Sequence, residues 1–271
     1  MKSFSLRDRL MTTDNPAFIM AIVNATPDSF FEDSRGSIDR ALKMIDEGAD
    51  LLDIGGESTR PGSEYVDEAE EIRRVVPLVR EIRKHSDIPI SIDTRKLGVM
   101  KAAFDEGADM LNDVSALEDD EGMAEFCAET DIPVILMHKR GIPSAMQSDT
   151  KYGNVFHEVS DYLDARAEYA ISKGIDPSRI IVDPGVGFGK DLYGNIQLIK
   201  NCGRLCGGRY PVLMALSRKT CIGQMTGREV DDRLYGTLAA DLVSVMNGAF
   251  MVRVHDCAPC LDTFAVLKSL Q

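Results

Sequence analysis

The sequence predicts a single-domain α/β protein closed into a (β/α)8 TIM barrel, and three observations carry that expectation. Eight short apolar runs alternate with helix-period segments along the chain, with no Pro/Ser/Gly linker or change of composition between them. Nearly every run stays apolar until its C-terminal end and there presents a polar or charged side chain. In a closed barrel those ends converge on the face where active sites of the fold lie, whereas an open sheet spreads them along a crevice. The length of 271 residues suits such a barrel, roughly 250 residues, plus a short lead. Residues 1–17 are expected as the lead and 18–271 as the barrel.

Taken in order, the strand candidates are 18–25, 51–57, 89–93, 110–116, 133–138, 180–184, 211–217 and 250–255. Their polar ends are Asn24, Glu57, Asp93, Asn112-Asp113, His138-Lys139, Asp183, Ser217-Arg218-Lys219 and Arg253-Val254-His255-Asp256. Between them, 67–85 places Ala69, Ile72, Val75, Val76, Val79 and Ile82 on one helical face, and 155–173 does the same with Phe156, Val159, Leu163 and Ala170. The intervals 37–47 and 231–247 are also long enough for helices. Glu47-Gly48-Ala49-Asp50 and Glu106-Gly107-Ala108-Asp109 are similar turns that stop a helix at glycine and lead into a strand, the look of a repeated βα unit. Gly185-Val186-Gly187-Phe188-Gly189-Lys190 lacks a third glycine at dinucleotide-fingerprint spacing and follows a late strand, so no nucleotide cofactor is expected.

Composition narrows the function. Hydrophobic residues at 44% and charged residues at 28% allow a sizeable core. With 31 Lys+Arg against 44 Asp+Glu the net charge is −13, which disfavours nucleic acid and membrane surfaces as partners. A small anionic substrate stays compatible, because a few cations at one cleft reverse the local potential. No secretory h-region and no run of membrane-spanning length is seen, so a cytoplasmic protein with reduced thiols is expected. Cys202-x3-Cys206 and Cys257-x2-Cys260 have metal-site spacings, but without a second matching pair they read as plain thiols.

Asp93, Asn112 and Asp183 end three different strands and in a barrel point into one cavity, where acceptors and an amide suit a flat heterocycle bearing ring N–H and amino groups. Two competing readings are a glycosidase acid/base pair and simple capping of the following helices. Arg218, Lys219, Arg253 and His255 gather at the ends of the last two strands, where barrels often hold phosphate, and suit a di- or triphosphate group. The bland alternative is ion pairing, Arg253 with Asp256 or Lys219 with a nearby carboxylate, with His255 bonded to Asp256. Asn24 offers an amide oxygen to Mg2+. The turn-rich stretch 55–62 exposes Thr59 and Arg60 to the cleft, and the first two loops are expected to close over substrate.

These segments resemble the dihydropteroate synthase family. The resemblance rests on Asn24-Ala25-Thr26-Pro27-Asp28-Ser29-Phe30, Asp53-Ile54-Gly55-Gly56-Glu57-Ser58-Thr59-Arg60-Pro61-Gly62, Ser91-Ile92-Asp93-Thr94, Asn112-Asp113 and Leu136-Met137-His138. It continues through Asp183-Pro184-Gly185-Val186-Gly187-Phe188-Gly189-Lys190, Ser217-Arg218-Lys219 and Arg253-Val254-His255-Asp256. It implies a usually dimeric (β/α)8 enzyme that condenses dihydropterin pyrophosphate with p-aminobenzoate, pyrophosphate leaving first to give a pterin cation that the amine attacks. By the same resemblance Asp93, Asn112, Asp183 and Lys219 hold the pterin between walls of Met137 and Phe188. Asn24, Arg253 and His255 bind pyrophosphate, Asn24 partly through Mg2+, and Phe30, Thr59, Arg60, Pro61 and Ser217 lie near p-aminobenzoate. Asp93, Asp183, Lys219 and Arg253 then carry the chemistry by stabilising ring cation and departing anion. The first loop departs from the family pattern at Phe31-Glu32-Asp33-Ser34-Arg35-Gly36. Two rivals share the pocket: a pterin-dependent methyltransferase serving a corrinoid protein, which has no use for the cationic cluster, and a non-catalytic pterin-binding paralogue.

Overall fold

The computed structural model describes residues 1–7, 9–25, 34–58, 65–141 and 149–270. Its strands are β1 (Lys2–Leu6), β2 (Arg9–Thr13), β3 (Phe18–Asn24), β4 (Leu51–Gly55), β5 (Ile90–Asp93), β6 (Met110–Asp113), β7 (Val134–Met137), β8 (Ile180–Asp183), β9 (Leu213–Met214) and β10 (Met251–Val254). The helices are α1 (Ser34–Asp46), α2 (Glu68–Arg83), α3 (Leu97–Asp105), α4 (Met123–Thr130), α5 (Val155–Ser172), α6 (Leu192–Asn201), α7 (Thr220–Thr226), α8 (Leu234–Met246) and α9 (Cys257–Leu270).

Strands β3 to β10 form one parallel sheet in the order β8-β7-β6-β5-β4-β3-β10-β9. It closes between β8 and β9 through a parallel bridge of Val182 with Val212, where the Val182 N–H donates to Pro211 O at 2.9 Å. This is the expected (β/α)8 barrel. The strands are shorter than the apolar runs. The 211–217 run shrinks most, since Pro211 has no N–H and the chain past Leu216 turns sharply into Arg218, whose φ is +56°.

Pleating sorts each strand between two cores. Ile19, Ala21, Leu52, Ile54, Ile92, Leu111, Val134, Val182 and Val252 face outward to the helices in one large buried cluster. Phe18, Met20, Leu51, Met110, Ile135, Ile181, Leu213 and Met251 fill the barrel interior. The two similar glycine turns do the same job: Gly48 and Gly107 take φ of +91° and +102°, and the aspartate two residues later reaches back to the preceding strand. Asp50 Oδ2 accepts from Ile19 N at 2.8 Å, and Asp109 Oδ2 from Ile90 N at 2.9 Å. Each helix end is thereby tied to the neighbouring strand that the next strand must join.

The N-terminal lead is more than a lead. β1 and β2 pair antiparallel and close the N-terminal end of the barrel. Phe4 and Leu6 join the interior cluster, Phe4 packing edge-on to Phe18 with ring centroids 5.1 Å apart. Lys2 Nζ donates to Ala249 O at 2.6 Å beneath β10. The helix expected over 231–247 begins only at Leu234, after a short 3-10 turn at Val230–Asp232. All six cysteines are free and buried, and among the described residues no helix is long and apolar enough to cross a membrane.

Candidate active site at the C-terminal mouth

The barrel's two-residue alternation dictates which polar groups enter the site. Leu51, Met110, Ile135, Ile181 and Met251 point inward, so Asp53, Asn112, Met137, Asp183 and Arg253, each two residues further on, point inward one layer higher. Asp93 lies level with them, paired in register with Gly55 on one side and Asn112 on the other. The sequence-predicted trio Asp93, Asn112 and Asp183 is thus brought together.

Arg253 occupies the centre of this layer. Its Nε donates to Asp53 Oδ2 at 2.5 Å and its Nη2 to Asp93 Oδ2 at 2.8 Å. Asn112 Nδ2 donates to the same Asp53 oxygen at 3.0 Å. The other oxygen of Asp53, Oδ1, is buried without a hydrogen-bond partner among the described residues. Burial, reinforced by the charges of Asp53, Glu71 and Asp113 and opposed by Arg253, pushes the Asp93 carboxyl up to about 7. Burial also raises Asp183, against the pull of Lys219, and lowers Lys219, against the pull of Asp183. On Arg253 burial disfavours the charge, but Asp53 and Asp93 outweigh it and hold the guanidinium firmly protonated.

The β8–α6 loop supplies one wall. Asp183 Oδ1 accepts from Gly185 N at 2.7 Å, and Lys219 Nζ donates to Val186 O at 2.6 Å while lying 4.9 Å from the Phe188 ring centroid. Met137 closes the end of β7 beside it. At the rim, the Ser217 hydroxyl accepts from His255 N at 3.2 Å and lies 2.9 Å from His255 Nδ1. Asn24 ends β3 and is exposed.

One sequence expectation changes here. Arg218 is not part of the anion-binding set, because its guanidinium is held bidentate on Asp256 at 3.1 and 2.8 Å. Arg253 is matched by the carboxylates of Asp53 and Asp93, and the His255 ring lies against the Ser217 hydroxyl. Phe30, Thr59, Arg60 and Pro61 lie outside the described residues. Sequence reasoning missed Asp53, which sits inside its run rather than at the end. It also missed Lys96, whose ammonium joins Glu57 and Glu71 at 2.5 Å each, beyond the end of β4.

A layer of inward carboxylates and an amide, crossed by two half-buried cations and flanked by an aromatic wall, can bind a planar nitrogen heterocycle and stabilise positive charge on it. Comparison with known proteins points the same way. The family model described as pterin binding enzyme matches residues 20–255. Dihydropteroate synthase of Haemophilus influenzae is 42% identical over 256 residues, covering 93% of this chain and 93% of that protein. The structure of Xanthomonas albilineans dihydropteroate synthase with 4-aminobenzoic acid superposes with a TM-score of 0.91 at 41% identity, covering 99% of this chain and 98% of that one. The same enzyme in complex with 7,8-dihydropteroate gives 0.88 at 39%, covering 100% and 99%. With the family model spanning residues 20–255 and relatives about 40% identical over nearly the whole chain, the chain belongs to the dihydropteroate synthases of the pterin-binding enzyme family.

Proposed function

We propose that the protein condenses 6-hydroxymethyl-7,8-dihydropterin pyrophosphate with p-aminobenzoate, releasing pyrophosphate and forming 7,8-dihydropteroate for folate biosynthesis. The observation that carries this reading is the interior layer of Asp53, Asp93, Asn112 and Asp183 crossed by Arg253 and Lys219. The carboxylates and the Asn112 carbonyl accept from the ring N–H and amino groups, and Lys219 and the Asn112 amide donate to ring acceptors. As the C–O bond to pyrophosphate breaks, positive charge spreads into the pterin, where Asp93 and Asp183 stabilise it through a preorganised site. The aromatic amine then attacks the exocyclic carbon, and its lost proton passes out with the product anion or to solvent. No protein nucleophile is required.

Asn24, Arg253 and His255 face the leaving group in this reading, and Phe30, Thr59, Arg60, Pro61 and Ser217 the p-aminobenzoate. Mg2+ fits as an ion that arrives on the pyrophosphate. Among the described residues no cluster of three His, Cys, Asp or Glu is built to hold a metal, while the exposed Asn24 offers one hard oxygen ligand, the kind Mg2+ takes when phosphates and water fill the rest of its shell. When bound, it would neutralise charge on the departing anion.

The proposed working form is a cytoplasmic homodimer. Tyr235, Ala239, Val243 and Met246 line one exposed stripe of α8 at helical spacing, an apolar face suited to a second copy. Six free thiols suit a reducing compartment. A pyrophosphate-release assay with dihydropterin pyrophosphate, with and without p-aminobenzoate and Mg2+, tests the activity, with dihydropteroate identified by chromatography. Tight pterin binding with no dihydropteroate under any condition overturns it in favour of a non-catalytic paralogue.

A further inference from the structure

Lys190 is the most deeply buried lysine that does not face the proposed pterin, at 2% exposure. Its ammonium turns back under the loop that joins β8 to α6. There it meets Gly185 O at 2.8 Å, Phe188 O at 2.9 Å, His138 O at 3.3 Å and His138 Nδ1 at 2.9 Å. Four acceptors around one ammonium with three protons leave no place for another kind of group. His138 is held neutral, its imidazole pushed down to about 3 by burial and by Lys190 itself, so Nδ1 acts as the acceptor and Nε2 carries the proton. The ring is fixed by Tyr162, edge-on with centroids 4.9 Å apart.

The loop tied by this knot delivers three parts of the site. Gly185 N fixes the Asp183 carboxylate, Val186 O receives Lys219, and Phe188 lies against Lys219. Its path depends on left-handed glycines: Gly185 at φ +64° and Gly189 at φ +68° press so close to 138–140 that a Cβ would fall 1.9 Å from His138 O and 2.7 Å from Arg140 O. A loop of alternating left-handed residues has little ladder hydrogen bonding of its own, and its inward carbonyls need a donor. Lys190 is that donor, and Asn195 Oδ1 on α6 holds the other side by accepting from Gly187 N at 2.8 Å.

We propose that Lys190 and His138 form a positioning pair that sets Asp183, Phe188 and Lys219 for the pterin ring without touching it. This rests on the dihydropteroate synthase reading and adds two residues that act through the loop. The test compares Lys190→Met, His138→Leu, His138→Gln and the double variant Lys190→Met/His138→Leu with the full-length wild type in steady-state kinetics for both substrates. Lys190→Met and His138→Leu are expected to raise KM for dihydropterin pyrophosphate at least tenfold while KM for p-aminobenzoate stays within twofold. The double variant is no worse than the worse single, because the pair acts as a unit. His138→Gln, which keeps an acceptor toward the ammonium, recovers most of the loss. A merely structural role lowers the amount of active enzyme and leaves both KM values alone. If Lys190→Met does not accumulate as folded protein, the contrast of His138→Leu with His138→Gln decides the matter. Unchanged pterin KM in the variants, equal changes in both KM values, or no recovery in His138→Gln overturns the pair. A wild type that makes no dihydropteroate overturns the underlying reading instead.

Discussion

Asp93→Asn separates the cost of the site from its use. In the unfolded chain this carboxyl loses its proton near its ordinary value of 3.8, and in the folded protein only near about 7, because it is buried with further carboxylates around it. Between those values the folded state binds more protons than the unfolded state, so the group's contribution to stability falls as pH rises. Three units at 1.36 kcal/mol each set an upper bound of about 4 kcal/mol lost above pH 7. Asparagine mimics the neutral acid in size and has no proton to lose, while Arg253 keeps its 2.5 Å bond to Asp53. The stability advantage of Asp93→Asn should therefore grow from about 1.5 kcal/mol at pH 5 to about 4 kcal/mol at pH 8. Urea unfolding at both pH values reads this as a widening gap in midpoint at constant m. Activity should move the other way, with kcat/KM for the pterin substrate falling at least about 100-fold at pH 8 as the stabilising carboxylate is lost. In the wild type, kcat/KM should climb as pH rises through about 7, where Asp93 ionises, and that limb should vanish in the variant. A variant with the same advantage at pH 5 and pH 8, or one less stable than wild type at pH 8, would refute the view of Asp93 as a buried acid held at the expense of the fold.

Other perturbations probe the remaining parts. Lys219→Ala and Arg253→Met should each lose at least about 2 kcal/mol of transition-state stabilisation, measured as kcat/KM, and near-normal kinetics in both would mean the cations have no part in the chemistry. Arg253→Met should also destabilise the fold at pH 8 by about 3–5 kcal/mol, since it leaves Asp53 and Asp93 buried without their cation. Gly185→Ala places a Cβ against His138 O at a left-handed φ, and a loss of at least about 2 kcal/mol in urea unfolding is expected. Phe4→Ala should cost about 3 kcal/mol by opening the plug beneath the barrel interior, with catalysis at the opposite mouth unchanged at temperatures where the variant is folded. The His138 ring signals in an NMR titration should not move between pH 5 and pH 8, because the imidazole is held neutral down to about 3.

What the sequence revealed depended on which physical signal was applied to it. Taking polar residues at strand ends finds Asp93 and Asp183, which end their strands, and Asn112, one residue before the end of β6, all three pointing inward. It also selects Glu57, which lies past β4 and pairs with Lys96 and Arg95, and it passes over Asp53, hidden in the middle of an apolar run. Counting by two from an interior apolar residue is the better rule, because it leads from Leu51 to Asp53 and from Met251 to Arg253. Treating Ser217-Arg218-Lys219 as one cationic patch fails for a related reason: neighbouring residues diverge, and Arg218 goes to Asp256 while Lys219 turns inward. The N-terminal hairpin carries its signal in the alternation of Ser3, Phe4, Ser5 and Leu6, but two short strands have no meaning until the open end of a barrel gives Phe4 and Leu6 somewhere to go. Lys190 is less legible still, since a buried lysine needs acceptors for its three N–H groups, and only the folded loop assembles them.

The interior balance also explains how so acidic a chain serves a substrate that arrives as an anion. Asp53, Asp93 and Asp183 stand against Arg253 and Lys219, three acids to two cations. With Asp93 titrating near about 7, the layer is close to neutral when the protein meets an uncharged pterin ring, and gains one negative charge when Asp93 ionises. A cation forming on the ring favours that ionised state, because each positive charge beside a buried carboxyl lowers its affinity for a proton. Binding and ionisation are then linked, and the stabilisation appears when the pyrophosphate departs rather than when the substrate docks. That is the differential binding that accelerates a reaction instead of only tightening the complex.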